Sequence, residues 1–142
     1  MQLRNVMTRK VEVVNPGTTL QEAAQKMQAS DAGSLPVCDG DRLVGMVTDR
    51  DITVRATSQA MDPKSATVRE IMTEDIVYGY EDQDLADAAR VMEDKQIRRL
   101  GVLSQDKRLV GIVSLGDLAT RGLSAAITEE VVEAVSEPTR HE

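Results

Sequence analysis

A mixed α/β (α+β) fold made of two β-α-β-β-α units is predicted by three features of this 142-residue chain. "VMTRKVEVV" from Val6 matches "IMTEDIVYG" from Ile71 at a spacing of 65 residues. "RLVG" occurs twice, at Arg42–Gly45 and Arg108–Gly111. "GMVTDRDITVR" (Gly45–Arg55) and "GIVSLGDLATR" (Gly111–Arg121) share a glycine, an apolar pair, a hydroxyl residue and an aspartate three places later. Between these landmarks Leu20, Ala23, Ala24 and Met27 align with Leu85, Ala88, Ala89 and Met92, and Leu35 and Val37 with Leu100 and Val102. One residue is then inserted, and Asp51 meets Asp117 at a spacing of 66. A register kept over most of two half-chains marks a duplicated unit.

Each unit opens with a short apolar-methionine turn that leads into a strand around Val11–Val14, or Ile76–Tyr78. "TTLQEAAQKMQAS" then places its apolar residues at helical spacing behind a capping threonine. "DLADAARVMEDK" repeats the stripe behind Asp84. Two strands follow in each copy, "SLPVC" and "LVGMVT", then "RLGVL" and "LVGIVS", joined by the hairpin-length turns "DGDR" and "SQDKR". A second helix opens at the aspartate. The first repeat spans residues 1–60 and the second 68–123, with a linker at 61–67 inside the passage "TSQAMDPKSAT" (Thr57–Thr67). Residues 124–142 read as a terminal helix, with Ile127, Val131 and Val135 on one face, and a frayed tail "SEPTRHE".

With 41% hydrophobic and 29% charged residues, the composition is that of an ordinary globule. Net charge is −7, and all of the excess lies in the second half: residues 1–65 hold 8 basic and 8 acidic residues, residues 66–142 hold 9 and 16. This argues against nucleic acid or an anionic membrane as the main partner, while leaving room for a local basic pocket. No apolar run is long enough to span a bilayer and the amino terminus lacks a signal-peptide core, so a cytoplasmic location is expected. The one cysteine, Cys38, reads as a small buried apolar residue. The one histidine, His141, lies in the tail, which leaves no His-based triad and no His partner for Cys38. No P-loop lysine motif or dinucleotide glycine motif is present, so the chain is not expected to be an enzyme.

Two readings of the repeated turn stand side by side. Thr48 with Asp51, and Ser114 with Asp117, have the spacing of a capping box. The same turn also suits a nucleotide, because a carboxylate can accept from both hydroxyls of a ribose and a hydroxyl residue adds a further contact.

The order "VMT…V", "TLQEAAQKM", "GSLPV", "LVGMVTDRDI", with its second-copy partners, resembles the cystathionine β-synthase (CBS) domain. Two in tandem are similar to the Bateman module, here as a stand-alone pair. The resemblance implies repeats packed with pseudo-twofold symmetry and clefts at their junction that bind adenosine compounds: AMP, ADP or ATP, less often NAD or S-adenosylmethionine. It also implies a homodimer formed through helices, with Ile52, Val54 and the terminal stripe as apolar contacts, and a downstream protein partner. A ligand-free dimerisation adaptor is the alternative within the same fold.

With no Phe or Trp, aliphatic walls must hold the adenine: Val11 and Val13 in the first copy, Ile76, Val77 and Tyr78 in the second. Backbone edges near Gly33, Ser34, Leu35 and Pro36 are candidate contacts. Arg98 and Arg99 at the start of a strand are the cations that the resemblance points toward phosphates. Adjacent strand residues face opposite ways, so one of the two lines a given pocket. The first copy has Gly33 and Ser34 there, so the two clefts should differ. Arg50 is a further phosphate or acid partner. Asp49 and Asp51 can meet magnesium through a bound nucleotide's phosphates. No metal site of the protein's own is expected. Gly101 stands where the first copy has Pro36 and where the family often keeps proline, which loosens the second-copy strand entry.

Overall fold

The computed structural model describes residues 1–121 and 125–136, the side chains of 125–129 excepted. The chain opens with a 3₁₀ turn (Leu3–Asn5), helix α1 (Leu20–Ser30), strand β1 (Ser34–Asp39) and strand β2 (Arg42–Thr48). A π-helical segment, Asp51–Ala56, runs into a 3₁₀ turn, Thr57–Gln59. The second copy follows as a 3₁₀ turn (Val68–Glu70), β3 (Tyr78–Tyr80), α2 (Leu85–Lys95), β4 (Arg99–Leu103), β5 (Leu109–Ser114) and α3 (Leu115–Arg121). Helix α4 covers Ala125–Ser136. This is the mixed α+β organisation in two repeats that the sequence predicts.

The hairpins are antiparallel, β1 with β2 and β4 with β5, and each carries a register shift at the same place, between Val37 and Cys38 and between Val102 and Leu103. The leading strands differ between copies. In the second copy β3 starts at Tyr78 and pairs in parallel with β4 over three residues, so the expected strand at Ile76–Tyr78 lies two residues further on. In the first copy the expected strand at Val11–Val14 shrinks to one parallel bridge, Val14 to Val37. Two prolines without an N–H flank the bridge. Pro36 stands where Gly101 pairs with Tyr78, and Pro16 stands where Glu81 donates its N–H to Leu103 O at 2.9 Å.

Two compact units divide the chain differently from the sequence repeats. One runs from Glu12 to Ile76, and the other joins Met1–Val11 to the chain from Val77 onward. Leu3, Val6 and Met7 are buried with Leu85, Met92, Leu100 and Leu118, while Val68, Ile71 and Met72 are buried with Leu20, Met27, Leu35 and Val47. Backbone bonds fix this pairing: Leu85 N donates to Met1 O (3.0 Å), Thr8 and Ile112 exchange two bonds (2.8 and 2.9 Å), and Thr73 and Met46 do the same (2.9 and 3.0 Å). The passage expected to be a linker is part of the first of these units. Leu20 N and Gln21 N at the start of α1 donate to Ala66 O and Pro63 O, both at 3.0 Å. These carbonyls satisfy helix N–H groups that have no partner within the helix. Thr19 and Glu22 complete the cap: Glu22 N donates to Thr19 Oγ1 (3.2 Å) and Thr19 N to Glu22 Oε1 (3.1 Å).

The terminal stripe expected to be exposed is partly consumed within its own unit. Val131 is 1% exposed in the core with α2, and Val135 packs against that core. The Ile127 side chain and residues 137–142 lie outside the described residues, while Ser136, expected to begin the frayed tail, is the last residue of α4. Ile52 is likewise half-buried against its own core, whereas Val54 and Val132 are exposed. Among the described residues no helix is long and apolar enough to cross a membrane.

Candidate functional site

Both repeated turns form the capping box. At the end of β2, Asp51 N donates to Thr48 Oγ1 (3.0 Å) and Thr48 N donates to Asp51 Oδ2 (2.9 Å). At the end of β5, Asp117 N donates to Ser114 Oγ (3.1 Å) and Ser114 N to Asp117 Oδ2 (2.9 Å). One carboxylate oxygen of each aspartate is therefore spent on the backbone. The other differs between copies. Asp51, 9% exposed, has its Oδ1 3.7 Å from Arg55 Nε, whereas no described residue donates a hydrogen bond to Asp117 Oδ1.

Two arginines that are not among the sequence-predicted site residues tie these turns to the rest of their units. Arg55 Nη1 donates to Ile71 O (3.2 Å) and Arg121 Nη1 to Val6 O (3.4 Å). The signal was available, since both repeated stretches end on arginine four residues after the aspartate.

The hairpin register brings the strand entrances to these turns. Ser34 pairs with Thr48, and Arg99 with Ser114. Asp49 N donates to Gly33 O (2.9 Å), and its counterpart Leu115 N donates to Arg98 O (2.8 Å). Gly33, Ser34, Thr48, Arg50 and Asp51 thus gather in one unit, and Arg98, Arg99, Ser114 and Asp117 in the other. Arg50, Arg98 and Arg99 are exposed. Arg98 Nη2 donates to Ser136 Oγ (3.3 Å), and no described carboxylate pairs with Arg98 or Arg99.

Leu35 and Pro36 are committed to the sheet. Leu35 is 2% exposed and paired with Val47, and Pro36 O accepts from Val14 N at 3.0 Å. Their backbone edges are not open to a ligand in the way the sequence reading expects.

The aliphatic walls also regroup. Val13 and Ile76 belong to the unit with Asp51, and Val11, Val77 and Tyr78 to the unit with Asp117. Val13 is half-buried and its carbonyl accepts from Lys26 Nζ (2.8 Å). Tyr78 pairs with Gly101, two residues along β4 from Arg99, so it shares the sheet face of Arg99 and Ser114. Its ring meets Tyr80 edge-on at 5.7 Å, and a hydrogen bond with Tyr78 pushes the Tyr80 hydroxyl pKa up.

Burial, reinforced by Asp41, pushes the Cys38 thiol up to about 11, which disfavours the thiolate that nucleophilic or metal chemistry requires. Among the described residues no three His, Cys, Asp or Glu side chains cluster as metal ligands. A groove of about 760 Å³ lies against α2 and α4, lined by Ala86, Ala89, Arg90, Asp94, Glu130 and Val131. None of the residues gathered at the two turns lines it.

The model of the CBS domain matches residues 3–56 and 68–123. A CBS domain-containing protein of Bacillus subtilis, YhcV, is 43% identical over 122 residues, which is 86% of each chain. Hypoxic response protein 1 of Mycobacterium tuberculosis is 40% identical over 136 residues, 95% of this chain and 94% of that one. The crystal structure of Hypoxic Response Protein I with two coordinated zinc ions superposes with a TM-score of 0.79 at 40% identity, covering 87% of this chain and all of that one. CBSX2 in complex with AMP superposes with a TM-score of 0.72 at 27% identity, covering 83% and 93%. The CBS domain pair of MJ0100 in complex with 5-methylthioadenosine and S-adenosyl-L-methionine gives a TM-score of 0.72 at 26% identity, covering 84% and 93%. With both halves matched and relatives aligned along nearly its whole length, the chain belongs to the CBS-domain family and carries two copies of that domain.

Proposed function

We propose that this chain is a regulatory module that binds an adenosine compound at its two hydroxyl-x-x-aspartate turns and performs no catalysis. The observation that carries the reading is the state of the turn aspartates. Each spends one carboxylate oxygen on the backbone cap and keeps a second that can accept from a ribose hydroxyl. The family supplies the chemistry of the guest, since AMP, 5-methylthioadenosine and S-adenosyl-L-methionine sit in structures similar to this chain. We favour nucleotides of the AMP, ADP or ATP class, because Arg98 and Arg99 flank the second turn. NAD and S-adenosylmethionine are the other members of the panel. Magnesium enters with a nucleotide's phosphates, without a protein site of its own. The acting form is a homodimer through helix faces that include the exposed Val54, and it signals to a separate protein.

Calorimetric titration of the full chain with AMP, ATP, NAD and S-adenosylmethionine tests the reading. Saturable binding without turnover supports it, and turnover of any ligand replaces it with an enzyme. Silence across the panel favours the ligand-free adaptor. A monomer by light scattering at tens of micromolar, roughly where a modest interface closes, removes the homodimer.

A further inference from the structure

The two turns differ in charge at equivalent positions. In the first unit the strand entrance is Gly33 and Ser34, and the residue facing it is Asp49. A Cβ built on Gly33 would lie 3.3 Å from Asp49 Oδ2, so this carboxylate packs directly over the glycine. Asp49 Oδ1 accepts from the backbone N–H of Arg50 (2.8 Å), while the Arg50 side chain is exposed. Asp51 stands two residues further on, with Arg55 drawn against its second oxygen. In the second unit the position of Gly33 is Arg98, that of Ser34 is Arg99, and that of Asp49 is the buried, uncharged Leu115. Gly116 takes the place of Arg50, and Arg121 reaches across to Val6 O. A ligand group approaching the first strand entrance meets a carboxylate. One approaching the second meets Arg99, paired with Ser114, and a single carboxylate, Asp117, with Arg98 at the strand mouth bonded to Ser136.

We infer that the two turns select adenosine compounds by the charge of the 5′ substituent. The second-repeat turn takes a phosphorylated nucleotide. The first-repeat turn, where Asp49 opposes the charge of the exposed Arg50, disfavours phosphate and takes an adenosine compound whose 5′ group is uncharged or positive. The specificity-determining residues are Asp49 in the first turn and the Arg98–Arg99 pair in the second. Like charges brought together at partly exposed positions repel over a few ångströms and are screened by salt, so the discrimination is graded and strongest at low ionic strength. The inference rests on the adenosine-binding reading above and deepens it.

The test is calorimetric titration of the full chain with adenosine and with AMP, on the parent, Asp49→Asn, Gly33→Arg/Asp49→Asn and Arg98→Ala/Arg99→Ala. The parent is expected to take two equivalents of adenosine and to prefer AMP at one site only. Asp49→Asn, an exposed and nearly isosteric change, is expected to tighten AMP at the other site about three- to ten-fold at low salt and to leave adenosine unchanged. Gly33→Arg/Asp49→Asn copies the second-turn charge into the first and is expected to give two AMP-preferring sites. Arg98→Ala/Arg99→Ala is expected to remove the one preference of the parent. If Asp49→Asn leaves the AMP-to-adenosine ratio unchanged while adenosine still binds, the charge assignment is overturned and the ligand reading stands. A single equivalent of adenosine on the parent also overturns the assignment. Binding of neither compound to the parent overturns both.

Discussion

Thr48 and Asp51 hold each other through two reciprocal hydrogen bonds of 3.0 and 2.9 Å, and Ser114 and Asp117 repeat the arrangement at 3.1 and 2.9 Å. An asparagine keeps an oxygen that can accept the backbone N–H, so Asp51→Asn and Asp117→Asn are expected to cost well under about 1 kcal/mol. Ribose recognition asks for more, because the amide replaces the second acceptor with a donor. Losing a hydrogen bond to a charged group weakens binding roughly ten- to a hundred-fold. Near-parent melting with weaker adenosine-nucleotide binding in at least one variant is the expected result. Parent-like affinity in both would make the aspartates caps alone.

Arg98 and Arg99 are exposed at the mouth of β4. If they meet phosphates, parent affinity for AMP falls as salt rises, while affinity for adenosine stays flat. Arg98→Ala/Arg99→Ala should flatten the AMP salt dependence as well. A slope that survives the double substitution returns both arginines to the solvated surface.

Gly45 and Gly111 sit where the apolar-methionine turns press on the hairpins. A Cβ on Gly111 would lie 2.6 Å from Met7 Sδ and 3.0 Å from Thr8 O, and one on Gly45 would lie 2.9 Å from Thr73 O. Both carbonyls are held by hydrogen bonds to the opposing strand residue, Ile112 or Met46. Alanine at either position should therefore overpack the contact and lower stability by about 1–3 kcal/mol. Urea denaturation measures this, and an unchanged midpoint in both variants would mean the turns yield freely.

Cys38 is 4% exposed and its thiol is pushed up to about 11 from 9.0, chiefly by burial. The folded state holds this proton after the unfolded state has released it, so the thiol makes stability fall as pH rises from about 9 to 11. Cys38→Ala, whose core is weaker at every pH, should lack this part of the decline. Parallel slopes for the two proteins over that window would remove Cys38 as the cause. Iodoacetamide at neutral pH should label Cys38 only after denaturation.

The duplicated pattern determined the repeats, the helix stripes of Leu20–Met27 and Leu85–Met92, the hairpins and both capping turns. These rest on contacts between residues close in sequence, where periodicity and cap spacing carry the physics. The aspartate turns were legible for the same reason.

Tertiary structure alone decided what depends on pairing distant segments. Nothing in the local pattern of "MQLRNVMT" says that Met1 O caps α2 or that Met7 is buried with Leu118. Nor does "DPKSA" announce that it closes the start of α1, because backbone carbonyls leave no mark in side-chain identity. Pro16 and Pro36 bound the one remaining bridge of the first leading strand, and the bond lost at Pro16 runs to Cys38, a partner 22 residues away whose register only the folded sheet sets. Asp49 was legible as an acid, but its place over Gly33 follows from the β1–β2 pairing, which turns two distant residues into neighbours.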